Sequence, residues 1–132
     1  MSDDCLFCKI AQGEIPAKIV YEDEQLLAFE DVNPQAPFHV LIIPRRHIGS
    51  FWECTPEEWA SLFTGSQWVK DDLDITFSRI DGWNIGVNVG EAAGQTVFHV
   101  HMHVVPRFIG DVENPIGGVR HVVPDKADYH SQ

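Results

Sequence analysis

Gln95-Thr96-Val97-Phe98-His99-Val100-His101-Met102-His103-Val104-Val105 is the stretch on which the fold turns. From Val97 to Val105 the residue types alternate with period two, which predicts a β-strand. Alternate side chains on a strand share a face, so His99, His101 and His103 fall on one surface and Val100, Met102 and Val104 on the other. A single histidine in such a place is ordinarily a solvated polar residue. Three in strict alternation, directly after Gly94-Gln95-Thr96, point to a surface that does chemistry.

Working outward, Gly90-Glu91-Ala92-Ala93-Gly94 is a turn that separates this strand from a second alternating run, Trp83 to Val89. Upstream, His39-Val40-Leu41-Ile42-Ile43 is a short, β-prone apolar run ended by Pro44, expected as a mostly buried strand. Pro34 and Pro37 keep the segment from Asp31 to Pro37 out of any central strand. Lys18 to Tyr21 and Gln25 to Glu30, joined by Glu22-Asp23-Glu24, predict a hairpin. Between these strands Thr55-Pro56-Glu57-Glu58 marks a helix start, with Thr55 as cap, Pro56 in the first helical position and Glu58 closing a capping box. Trp59, Leu62, Phe63, Val69 and Leu73 follow at helical spacing, and Gly65 weakens the helix in its middle. From Pro106 the chain, with Pro115, Gly117, Gly118 and Pro124, is expected as an extended loop. The expected fold is therefore α+β: an antiparallel sheet of about five strands with one main helix.

At 132 residues, 44% of them hydrophobic, the chain suits one domain over 1–132, with a core at about 5–106 and a tail at about 107–132. A net charge of -11 repels polyanions, so no nucleic-acid partner is expected and a phosphate ligand must be gripped locally. No basic stretch runs into an apolar one at the start and no apolar run approaches membrane length, so neither a membrane partner nor secretion is expected, and a cytoplasmic setting is. Three cysteines do not make a disulfide framework. Cys5-x-x-Cys8 points to metal or redox chemistry and Cys54 to packing. The three histidines cannot share one catalytic metal on a straight strand. Residues two and four apart are separated by roughly 6.6 and 13 Å, against metal bonds of about 2 Å. They are expected to have different jobs.

The central segment resembles the histidine-triad pattern His-φ-His-φ-His-φ-φ, with φ apolar. The likeness extends from Cys5 to about Pro106 through Glu14-Ile15-Pro16-Ala17, Leu27-Ala28-Phe29, Asp31, the Pro37-x-His39 entry to the apolar strand, Asn88 and Gly94-Gln95. The resemblance implies a homodimer whose two sheets join. It also implies a nucleotide-binding hydrolase that cleaves at the α-phosphate of a purine nucleotide, either a dinucleoside polyphosphate or a nucleoside phosphoramidate. By the resemblance His101 is the nucleophile that forms a nucleotidyl-histidine. An imidazole with a pKa near 6.5 is mostly neutral at pH 7 and can attack phosphorus without a strong base. His39 matches the family's fourth histidine and is expected to support His101.

The same resemblance places His103 on the phosphate or the leaving atom and Gln95 and Thr96 around the non-bridging oxygens. Asp31 would accept from both ribose hydroxyls, Phe7, Phe29 and Val32 would wall the base, and Asn88 would hold phosphate. Ordinary packing for Phe7, Phe29 and Val32, and a strand-end role for Asn88, stand beside these. In the zinc-bearing branch Cys5, Cys8, His47 and His99 form a closed, structural Cys2His2 site, and no organic cofactor is implied. Gly117 to Pro124 is similar to the tail of bacterial diadenosine-tetraphosphate-hydrolase-like members, where Arg120 could reach a distal phosphate or stay solvated. The alternative to an enzyme is a nucleotide-binding interaction protein with vestigial catalysis, for which three aligned imidazoles would be unnecessary.

Overall fold

The computed structural model describes residues 4–77 and 79–130. Its sheet is built from β1 (Ile19–Glu22), β2 (Leu26–Glu30), β3 (Val40–Pro44), β4 (Gly82–Val87) and β5 (Met102–Arg107). The strands lie in the order β1-β2-β3-β5-β4, every neighbouring pair antiparallel. The long helix α2 spans Pro56–Thr76, and a short helix α1 covers Leu6–Ala11. The α+β expectation of an antiparallel sheet with one main helix is met.

The sheet separates two apolar layers. Ala28, Ile42, Met102 and Val104 turn toward Leu62, Val69 and Leu73 of α2. On the opposite face Leu27, Phe29, Leu41 and Ile43 pack against Phe7 and Ile10 of α1. Because β2 and β3 are covered on both sides, their residues form continuous apolar runs instead of an alternating pattern. The pairings Phe29↔Leu41 and Leu41↔His103 put His103 in one row with the residues under α1.

Helix α2 begins as expected, with Glu58 N–H donating to Thr55 Oγ1 at 3.1 Å and Thr55 N–H donating to Glu58 Oε1 at 2.8 Å. Gly65 has a use that its low helix propensity conceals. A Cβ there would stand 2.9 Å from Leu26 Cδ1 and 3.4 Å from Ile42 Cγ2, so the bare backbone lets the helix settle onto β2 and β3. Gly65→Leu should therefore lower stability by about 1–3 kcal/mol through overpacking, despite a gain in helix propensity. An unchanged or raised midpoint in urea unfolding would count against this close approach.

Three expectations are corrected. β5 starts at Met102, not Val97, and β4 ends at Val87, not Val89, so His99 and His101 precede the strand. The β3–β5 register, continued, would set Val100 opposite Pro44, which has no N–H to give. Val100 N–H instead donates to Ile48 O at 2.7 Å, drawing the chain out of the sheet. Helix α1 was not expected, and the tail forms two 3-10 turns, Gly118–Val122 and Pro124–Lys126, instead of a continuous extended loop. Among the described residues no helix is long and apolar enough to cross a membrane.

Candidate active site

Helix α1 brings the two N-terminal cysteines to the sheet. Cys5 caps it and accepts from Cys8 N–H, and one ligand atom from each of Cys5, Cys8, His47 and His99 lies within 4.8 Å of all the others. Cys8 Sγ is 3.2 Å from His47 Nδ1 and 3.5 Å from His99 Nδ1, while Cys5 Sγ is 3.4 Å from His99 Nδ1. Metal bonds of about 2.0–2.3 Å in a tetrahedron require ligand separations of about 3.5 Å, so the set fits a four-coordinate ion. His99 Nε2 donates to Pro44 O at 2.7 Å, which puts its proton on that nitrogen and leaves Nδ1 free to ligate. Two sulfurs and two imidazoles are the donors zinc selects.

His101 lies beside this centre. Its Nδ1 donates to the His99 carbonyl at 2.8 Å, so Nε2 is the unprotonated nitrogen. The tautomer follows from this bond. Burial pushes the His101 pKa below the ordinary imidazole value and favours the neutral, nucleophilic form. Phe7, carried by α1 between the two cysteines, sets its ring edge-on to His101 at 5.0 Å between centroids and to Phe29 at 5.6 Å.

The expectation that His39 supports His101 is corrected, because His39 Nε2 lies 3.0 Å from His103 Nδ1. Gln35 N–H donates to His39 Nδ1 at 3.1 Å, so the His39 proton sits on Nε2 and is donated to His103. That leaves His103 with its own proton on Nε2, a fixed donor. Burial first, then the neighbouring His101 and His39, bring the His103 pKa down to about 4, so at neutral pH it acts as an uncharged donor. Asp31, His39 and His103 also offer ligand atoms within 4.8 Å of one another. A metal there would need the nitrogen that the Gln35 contact keeps protonated, so this trio is a hydrogen-bond relay and not a metal site. Phe38, at a φ of 63° and with its ring 4.0 Å from that of Phe77, makes the sharp turn that leads into His39.

A cavity of about 360 Å³ opens in front of His101 and His103. Phe7, Phe29, Asp31, Val32, Asn88 and Thr96 line it with the two histidines. Phe7 and Phe29 are buried core residues as well as walls, whereas Val32 is 83% exposed and stands at the mouth. Asp31 Oδ1 accepts from Asn33 N–H at 2.9 Å and Oδ2 lies 3.6 Å from His39 Nε2, which fixes the carboxylate at the cavity edge. Gln95 does not line the cavity. Its amide donates to Gly49 O and Val97 O and accepts from Gly90 N–H, so it shapes the loop under Thr96. Arg120 is likewise taken up inside the tail, donating to Ala127 O and Lys126 O with its cation 5.1 Å from the Tyr129 ring. Cys54 is buried, as expected for packing. Ile10, Leu41 and Asn33 also line the cavity and were not anticipated. Ile10 depends on α1, and Leu41 shares a face with the site only because both faces of β3 are used.

Comparison with known proteins gives a consistent picture. A family model described as HIT domain matches residues 12–110. An uncharacterised HIT-like protein of Methanocaldococcus jannaschii is 46% identical over 110 residues, 83% of either chain. A protein called adenylylsulfatase from Arabidopsis thaliana is 37% identical over 107 residues, 81% of this chain and 54% of that one. A zinc-bound histidine triad family protein from Mycobacterium smegmatis superposes with a TM-score of 0.79 at 40% identity, covering 84% of this chain and 80% of the other. A HIT family hydrolase from Legionella pneumophila gives a TM-score of 0.68 at 39% identity, covering 77% and 91%.

Proposed function

The chain belongs to the HIT domain family, and from that premise we propose that it is a hydrolase that cleaves purine nucleotides at the α-phosphate through a nucleotidyl-histidine on His101. The observation that carries this reading is the His101 Nδ1 to His99 carbonyl contact of 2.8 Å, which aims a neutral, unprotonated Nε2 at the cavity shared with Asp31. That nitrogen attacks phosphorus, an N–P bond forms, and the bond to the leaving group breaks. A polyphosphate leaves as an anion and takes no proton in this step. His103 Nε2–H and Thr96 donate to the phosphoryl oxygens or the leaving atom, which stabilises charge that grows in the transition state. Asn88 completes the phosphate side. Water then breaks the N–P bond and frees a nucleoside monophosphate. The relatives called adenylylsulfatase and hydrolase favour this over a binding-only role.

Zinc bound by Cys5, Cys8, His47 and His99 is a structural ion in this proposal, with no open position for substrate. It ties α1, and with it Phe7, to the segment that carries His101. A homodimer joined through a sheet edge and a cytoplasmic setting belong to the same proposal.

In this reading Asp31 accepts hydrogen bonds from the ribose hydroxyls. Asp31→Ala is expected to reduce kcat/KM for ribonucleotide substrates by about 10-fold or more while changing the already poor use of 2′,3′-dideoxy analogues little, since those have no donors to lose. Equal losses with both substrates would assign Asp31 another task.

A further inference from the structure

Among the described residues Phe38 is the only one other than glycine with a positive φ, at 63°. It stands at a defined place in a turn. His39 N–H donates to Ala36 O at 3.2 Å, which closes a four-residue turn with Pro37 and Phe38 at its centre. Proline holds a negative φ at the first central position and Phe38 takes a positive one at the second, the pattern of a type II turn, where glycine is the ordinary residue. Phenylalanine there carries a backbone cost that glycine would not. Nothing in local turn chemistry offsets it.

The compensation lies in the ring. Phe38 packs against the core layer under α2, with its ring centroid 4.0 Å from that of Phe77, which caps the end of α2, and with Lys18 Nζ 5.9 Å over its face. Val32, Asn33, Pro34, Gln35 and Pro37 are exposed, so Phe38 is the side chain by which this loop grips the core. The grip has a consequence on the other side of the turn. Asp31 N–H donates to His39 O at 2.8 Å and closes the base of the loop, while Gln35 N–H meets His39 Nδ1 at 3.1 Å. That contact excludes a proton on His39 Nδ1, since two donors would then face each other. Were it lost, the pair could adopt the opposite arrangement, with His103 Nδ1–H donating to His39 Nε2 across the same 3.0 Å and His103 Nε2 left bare.

We propose that Phe38 is a positioning residue: its ring against Phe77 holds the loop so that Gln35 N–H meets His39 Nδ1, and through His39 it keeps the His103 proton on Nε2. The inference rests on the donor role given to His103 in the nucleotidyl-transfer reading above, but the proton positions can be read without substrate. The test compares the parent with Phe38→Gly and Phe38→Tyr by long-range proton–nitrogen NMR of nitrogen-labelled histidines at neutral pH, with signals assigned through His39→Asn and His103→Asn. Phe38→Gly suits the positive φ and deletes only the ring, whereas Phe38→Tyr keeps the ring. The parent and Phe38→Tyr should each show His103 protonated on Nε2 and bare on Nδ1. In Phe38→Gly the two His103 nitrogens should move toward a common averaged position, and kcat with diadenosine tetraphosphate should fall about tenfold while KM stays within about twofold. Should Phe38→Gly fail to fold, Phe38→Leu, which fills the space without the ring-to-ring contact, is read in the same way. A variant spectrum identical to the parent's would overturn the inference, as would a fall in kcat with His103 still in its single tautomer, the mark of a merely structural role. A parent that turns over no nucleotide would refute the function proposed above, and the same spectra would still decide what Phe38 does.

Discussion

Replacing His101 with Asn is expected to lower turnover by roughly three to six orders of magnitude while nucleotide affinity stays within a few-fold. Attack needs the Nε2 lone pair, whereas in the proposed function the base and ribose would rest on Phe7, Phe29 and Asp31, which line the cavity and which the substitution leaves in place. Nucleophile removal abolishes a covalent step instead of weakening a contact, so the loss belongs in kcat. His103→Asn should fall between this variant and the parent, slowing turnover by loss of a fixed donor without preventing the intermediate. Isothermal titration with a non-hydrolysable analogue and steady-state kinetics separate the two effects. Retained turnover without His101 would defeat the assignment.

His99→Ala should behave differently, although it lies two residues away. The substitution deletes one of the four proposed metal ligands and the contact to Pro44 O, yet keeps the backbone carbonyl that His101 Nδ1 uses. Structural zinc contributes roughly 10–16 kcal/mol of apparent binding free energy in small domains, so its loss is a large perturbation even when only part of it is coupled to folding. Zinc content and melting temperature should drop first. Activity should follow because α1 loosens and withdraws Phe7 from His101. Metal analysis and calorimetry on parent and variant check this. A parent free of metal with its melting temperature unaffected by chelator would contradict the role given to Cys5, Cys8, His47 and His99.

How much of this was legible in the sequence depended on how local each cause was. The hairpin, the apolar run of β3 and the start of α2 follow from neighbouring residues: an acidic turn, a Pro44 stop, and the Thr55–Glu58 box. Helix α1 is only six residues long, too short for a helical period to show, and it is held by its cysteines more than by propensity. The late start of β5 was hidden because its cause is Pro44, distant in sequence but opposite in the register.

The site divides in the same way. Alternation in His99, His101 and His103 pointed to one surface; the structure brings His101 and His103 to one cavity and His99 among Cys5, Cys8 and His47, with His99 and His101 ahead of the strand whose spacing had suggested separate places. Which ring assists which was not legible. His39 reaches His103 across β3 and β5, and the deciding contact is a backbone N–H at Gln35 that no side-chain motif reports. Gln95 matched its motif yet turns its amide inward to Gly49, a partner 46 residues away. A cavity of about 470 Å³ lined by Val105, Arg107, Phe108 and His121 was invisible because it exists only where the folded tail returns to β4 and β5.

The proposed hydrolysis depends on a covalent bond between His101 and the nucleoside phosphate. Rapid quench of the parent protein with diadenosine tetraphosphate, followed by proteolysis and mass spectrometry under conditions that preserve phosphoramidate bonds, tests it most directly. One adenylyl group is expected on the peptide spanning His99 to His103, localised to His101, formed and lost at rates that accommodate turnover. Steady turnover with no labelled peptide at any quench time, or with the label on another residue, would contradict it.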